Sequence, residues 1–139
     1  MEVQINGNKI FAPLKNKWLI CKPEEIVRQN YICRLIENYG YSVDQMDQER
    51  TTTEASYRGT GAARADIVVW RNPEDKTNNK RALIVVECKA ENVTIRKEDY
   101  FQGFNYASWM HAKFLVTTNQ KETRIFKLTE DTIPQTFVD

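Results

Sequence analysis

The sequence predicts a mixed α/β fold, a β-sheet with α-helices packed against it, and three observations carry that prediction. Ala82 to Val86 is an unbroken apolar run with three β-branched residues, the pattern of a strand buried on both faces. Two segments, from Pro23 to Tyr39 and from Arg96 to Met110, have apolar residues at helical spacing. The order of the remaining strand-like stretches, two before the second helix and two after it, implies a mixed sheet. Its β-α-β step from Ala82 to Lys113 should be parallel and right-handed.

At 139 residues the chain is one domain's worth, with N-terminal strands or a hairpin to residue 22, a core from 23 to 128 and a tail from 129. Twenty Lys+Arg stand against 19 Asp+Glu, a formal net charge of +1, so no strong overall field draws the chain to nucleic acid or to a membrane; polyanion binding must be local. Cys21, Cys33 and Cys88 are an odd, scattered set with neither CxxC nor Cys/His spacing, which argues against a disulfide framework or a zinc site and for a reducing compartment. No stretch approaches the roughly 18 apolar residues of a membrane span, and no secretion signal opens the chain. The expectation is a soluble, cytoplasmic protein.

In order, residues 2 to 20 alternate weakly around the Asn6-Gly7-Asn8 turn signal and read as short strands or a hairpin. Pro23-Glu24-Glu25 starts a helix, acids in its first turn, that runs to Tyr39 and stops at Gly40. Glu25, Arg28, Ile32, Leu35 and Tyr39 share one stripe, so the stripe that enters the core begins with two charges. Residues 44 to 58 are polar and Thr-rich, an exposed or edge strand followed by a loop. Arg58-Gly59-Thr60-Gly61 is a flexible turn without Walker spacing. Arg64 to Trp70 is a strand with Asp66 near its start, 71 to 80 is a loop by composition, and the Ala82 strand follows. Trp18, Trp70 and Trp109 are expected in the core or at its edge. Lys113 to Thr118 and Thr123 to Leu128 read as two strands about an Asn119-Gln120-Lys121 turn.

The Ala82 strand runs straight into Glu87-Cys88-Lys89. Alternation puts Glu87 and Lys89 on one face and Cys88 on the other. Two strands joined by one loop pair antiparallel, and Asp66 and Glu87 are equally far from that loop's centre, so they should meet at one end of the hairpin. Two acids brought together there repel unless a cation compensates them. On the second helix Asp99, Gln102, Tyr106 and Trp109 form one stripe. By themselves Glu87 and Lys89 read as an ion pair at a sheet end, and Gln102 and Tyr106 as a helix surface with a core tyrosine. Asp66 and the other elements weigh against that.

Asp66, Glu87-x-Lys89 and Gln102-x-x-x-Tyr106, after an acid on the first helix, resemble the PD-(D/E)xK nuclease superfamily. More narrowly, with Pro23 to Gln29 (PEEIVRQ) and Phe114 to Asn119 (FLVTTN), they resemble the N-terminal nuclease domain of type I restriction endonuclease R subunits. The resemblance spans roughly Pro23 to Leu128. It implies a restriction-endonuclease-like fold and metal-dependent hydrolysis of a DNA phosphodiester bond. Asp66 and Glu87 would be Mg²⁺ ligands, Mn²⁺ substituting, with the Cys88 carbonyl a third and Glu25 reaching the ion through water. Mg²⁺ is a hard ion suited to a few carboxylates plus waters. Lys89 would orient water or stabilise charge on the transition state, a compact cation whose pKa can fall on burial. Gln102 and Tyr106 would position DNA or support the catalytic groups, and Arg28 would touch a phosphate or neutralise the acids. Arg58, Arg64, Arg96 and Lys97 are the local candidates for contact with double-stranded DNA. In that family an ATP-driven motor domain lies on the same, longer chain; no Walker motif is present here. A motor or other restriction-modification subunits are therefore expected partners. The alternatives are an inert DNA-binding or protein-interaction module of the same fold, or a small-molecule α/β domain, for which no glycine-rich phosphate loop is present.

Overall fold

A computed structural model describes residues 2–52 and 63–129. The chain opens with a small antiparallel meander, β1 (Ile5–Asn6), β2 (Lys9–Ala12) and β3 (Lys17–Ile20), turning at Gly7 with φ +62°. It continues through α1 (Pro23–Glu37), β4 (Met46–Thr52), β5 (Ala63–Trp70), α2 (Pro73–Thr77), β6 (Ala82–Cys88), α3 (Lys97–Trp109), β7 (Phe114–Thr118) and β8 (Thr123–Lys127). The last five strands form one sheet in the order β4-β5-β6-β7-β8. Its pairs are antiparallel except β6 with β7, which are parallel across the α3 crossover as the sequence predicts.

The central strands of the sheet are covered on both faces, while the edge strand β8 is exposed. Val27, Tyr31, Ile32 and Leu35 of α1 pack on Ile67, Val69, Val86, Cys88 and Val116. On the other face Tyr106, Ala107 and Met110 of α3 pack on Val68, Trp70, Val85 and Leu115. Val85 and Val86 thus serve opposite faces, as period-two alternation requires of a central strand. α1 stops at Glu37, and Gly40, at φ +74°, turns the chain and donates its N–H to Ile36 O at 3.1 Å. The predicted stripe is therefore buried at Glu25, Arg28, Ile32 and Leu35, whereas Tyr39, beyond the helix end, is exposed.

Three expectations need correction. Residues 71 to 80 are not all loop, because Asn72 caps α2: its Oδ1 accepts the Asp75 N–H at 2.8 Å, and Pro73 sits where a missing N–H costs nothing. Trp109 is 49% exposed at the last turn of α3, where Met110 and Ala107 fill the core instead. Trp18 is 44% exposed on the outer face of the meander, since a three-stranded sheet with Ile10 and Ala12 already turned inward has no second layer for it. Trp70 is fully buried as expected, its indole N–H donating to Lys80 O at 3.0 Å.

Candidate active site

The β5/β6 register pairs Ile67 with Val86, which places Asp66 and Glu87 one step further at the same end of the hairpin. There Asp66 turns its carboxylate toward the neighbouring strand, and its Oδ2 accepts the Cys88 N–H at 2.7 Å. The main chain of Cys88 therefore lies between the two acids. Its side chain packs in the α1-face core, where burial pushes the thiol pKa well up and leaves it a small apolar filler.

On the α1 face the compensating cation is Arg28. Its Nη2 reaches Asp66 Oδ1 at 2.7 Å, and its Nη1 reaches Glu25 Oε1 at 2.5 Å and Glu49 Oε1 at 3.2 Å. Only 4% of the Arg28 side chain is exposed. Burial by itself would lower its pKa; the hydrogen bond and charge of Asp66, with those of Glu25, outweigh burial and the net shift is upward. Gln29 extends the network, donating to Glu25 Oε2 at 2.8 Å and to Gln48 Oε1 at 3.0 Å. Glu49 reaches Arg28 from a left-handed residue, φ +53°, inside β4, and its other oxygen takes Lys15 of the meander at 2.8 Å.

On the α3 face stand Glu87 and Lys89, on the same side of the strand as alternation predicts. Glu87 lies against Gly103 so closely that a Cβ added there would fall 2.8 Å from Glu87 Cγ and 2.9 Å from Leu115 Cδ1. This close approach accounts for a glycine inside a helix. Lys89 Nζ sits 3.2 Å from Asp99 Oδ1, while Asp99 Oδ2 accepts the Arg96 N–H at 2.8 Å and so is fixed at the start of α3. Burial acts to lower the Lys89 pKa, but the hydrogen bond and charge of Asp99, followed by Glu24 and Asp66, raise it overall. Tyr106 is buried in the α3-face core with its pKa pushed up to about 12 by burial, and its Oη has no hydrogen-bond partner among the described residues. Gln102, one turn earlier, is exposed.

Asp66, Glu87, Lys89, Glu25 and Arg28 thus gather at one end of the β5/β6 hairpin, with Tyr106 one helix layer away. Arg96 and Lys97 lie exposed at the start of α3, where Lys97 Nζ stands 5.4 Å from the Phe101 ring centroid. Arg58 lies outside the described residues, as does the side chain of Arg64. Sequence reasoning overlooked Asp99 as the partner of Lys89, although it shares a stripe with Gln102 and Tyr106, and gave no role to Glu49, whose left-handed backbone has no sequence signal.

Residues 23–139 match the family model for the N terminus of the type I restriction enzyme R protein. The chain belongs to that family. The match begins at Pro23, the first residue of α1, and takes in the whole five-stranded sheet with both acid-bearing strands; the meander precedes it. No curated protein matches the chain. Membership in a type I restriction enzyme family makes this a restriction-modification protein of R-subunit type. No helix among the described residues is long and apolar enough to cross a membrane.

Among the described residues no three His, Cys, Asp or Glu side chains are grouped to hold a metal ion. Asp66 and Glu87 are two carboxylates at one end of the β5/β6 pairing, which is the donor chemistry of Mg²⁺: that ion takes one or two carboxylates and completes its shell with water and substrate phosphate. Carboxylate oxygen is the donor type of Mg²⁺ rather than of a thiolate or imidazole site, and both Asp66 oxygens are engaged here, Oδ1 by Arg28 and Oδ2 by the Cys88 N–H.

Proposed function

We propose that this domain cleaves DNA phosphodiester bonds in a Mg²⁺-dependent reaction, as the nuclease part of a type I restriction system. The observation that carries the reading is the convergence of Asp66, Glu87 and Lys89 at one end of the β5/β6 hairpin, in a chain whose family is that of restriction-enzyme R subunits. Asp66 and Glu87 would hold the ion, with the Cys88 carbonyl beside them and Glu25 acting through water. Mg²⁺ bound there supplies charge to the scissile phosphate and acidity to a water. Lys89, kept protonated by Asp99, can place its ammonium against the phosphate oxygens as negative charge builds up. Asp99 orients Lys89, Arg28 holds Asp66 in position, and Gln102 with Tyr106 supports the α3 side of the site. Double-stranded DNA is the substrate, Arg96 and Lys97 lie at its approach, and a motor domain or other restriction subunits supply further grip.

One observation favours a second reading, an inert module of the same fold: Arg28 already compensates Asp66, so the buried acid does not require a metal. Nicking of supercoiled plasmid by the purified chain, with Mg²⁺, Mn²⁺ or EDTA and beside Asp66→Ala and Lys89→Ala, separates the two. The nuclease reading expects metal-dependent nicking lost in both variants. Nicking that survives both substitutions, or none from the unsubstituted chain in either metal, favours the inert module.

A further inference from the structure

The meander that precedes the family-matched residues differs from them in charge. Residues 1–22 carry four Lys and one Glu, so residues 23–139 hold 16 basic and 18 acidic residues, a net of −2 against +3 for the N-terminal segment. Lys15 is committed to Glu49. Lys9, Lys17 and Lys22 make no ion pair among the described residues.

The outer face of the meander is also where apolar surface is exposed. The β2/β3 register sets Phe11 opposite Trp18 and Lys9 opposite Ile20, so these four share a face. Trp18 is 44% and Ile20 56% exposed, and Phe11 holds the Trp18 ring edge-on at a centroid distance of 5.4 Å. Lys9, Trp18 and Ile20 line an open groove of about 460 Å³ together with Lys22, Glu25, Arg28 and Glu49. Its lining thus includes members of the network that holds Asp66, and its size lies within the roughly 300–1,000 Å³ of ligand pockets. Glu24 lines it as well, so the groove carries three basic and three acidic side chains. Arg28 is taken up by the acids, and the two rim lysines remain for a ligand.

We propose that the meander is a nucleic-acid binding element that receives one unstacked DNA strand, a base resting on Trp18 and its flanking phosphates on Lys9 and Lys22, with the strand leading on toward Asp66. An aromatic face with cations beside it is the arrangement by which proteins hold single strands regardless of sequence. The acids that line the same groove repel phosphate, which keeps the backbone on the lysines. This identification of the substrate contact rests on the nuclease reading; its test does not require cleavage.

Binding of a fluorescent single-stranded oligonucleotide and of its duplex is measured in EDTA for the full chain, Trp18→Ala, and the Lys9→Glu/Lys22→Glu double variant, with circular dichroism to check folding. The single strand should bind more tightly than the duplex. Trp18→Ala should weaken it about tenfold, and the double lysine variant should flatten the salt dependence of binding by roughly two phosphate contacts. Unchanged binding in both folded variants overturns the proposal, as does absence of binding by the unsubstituted chain at low salt. A change in molecular mass by light scattering on Trp18→Ala, with DNA binding intact, also overturns it and makes this face a contact between copies of the chain. The nuclease reading is judged apart from all of these, by metal-dependent nicking.

Discussion

The two faces of the central sheet carry the two halves of the candidate site and handle charge in opposite ways. On the α1 face Arg28 is buried and shared among Glu25, Glu49 and Asp66, with Glu24 at 3.9 Å. On the α3 face Lys89 is 36% exposed and, among the described residues, has one charged partner within ion-pair range, Asp99. Removing one member of a buried ion network leaves an uncompensated charge in the interior, whereas an exposed pair contributes little. The α1 half is therefore fixed when the chain folds. The α3 half keeps an ammonium that can leave its partner for a substrate without unfolding anything.

The largest expected effect lies on the α1 face. Arg28→Ala leaves four carboxylates without their common partner and should cost about 3–5 kcal/mol in urea unfolding. A loss below about 1 kcal/mol would mean that the network relaxes into water and that the contrast between the faces is false. Gly103→Ala comes next, because its Cβ has no room beside Glu87 and Leu115. Overpacking of about 1–3 kcal/mol outweighs the roughly 1 kcal/mol that Ala adds to a helix, so a modest net loss is expected, with weaker nicking as Glu87 is displaced. A gain in stability would show that both side chains yield freely.

Lys89→Ala should separate stability from activity. Its unfolding free energy in urea should change by no more than about 0.5 kcal/mol, while nicking falls on the order of a hundredfold or more. Equal effects on both would return Lys89 to a structural role. The smallest effect concerns pH. Lys89 has its pKa raised in the fold, so its contribution is complete below the ordinary lysine value and is lost as pH rises through the folded one. Tyr31 and Tyr106, each pushed up to about 12 chiefly by burial, act in the same direction, so stability should decline from about pH 10 upward. Asp99→Asn should remove the share of Lys89 from that decline, and Tyr106→Phe the share of Tyr106.

Features set by local period were legible in the sequence. The alternation at Glu87, Cys88 and Lys89 and the charged start of the α1 stripe follow from spacings of two and of three and four, and the antiparallel meeting of Asp66 with Glu87 and the parallel step through α3 follow from the connections between the strands. Features that depend on what lies opposite were not legible. Trp18 and Trp109 carry the same side chain as Trp70, yet only Trp70 has a layer on each side. Glu49 joins Arg28 because one β4 residue adopts a left-handed backbone, which glutamate seldom does. The Lys89–Asp99 pair could have been anticipated from the stripe that Asp99 shares with Gln102 and Tyr106. The Asn72 cap of α2 was also readable, since Asn before Pro is a helix start as well as a loop signal.

The central claim is that Asp66, held from the α1 face, and Glu87, held from the α3 face, act on one ion. Calorimetric titration of Mn²⁺ into the purified chain, Asp66→Asn and Glu87→Gln tests it most directly. The account predicts a single binding event in the unsubstituted chain that is lost in each variant while both remain folded. Binding that persists unchanged in either variant, or no binding in the unsubstituted chain, would contradict it.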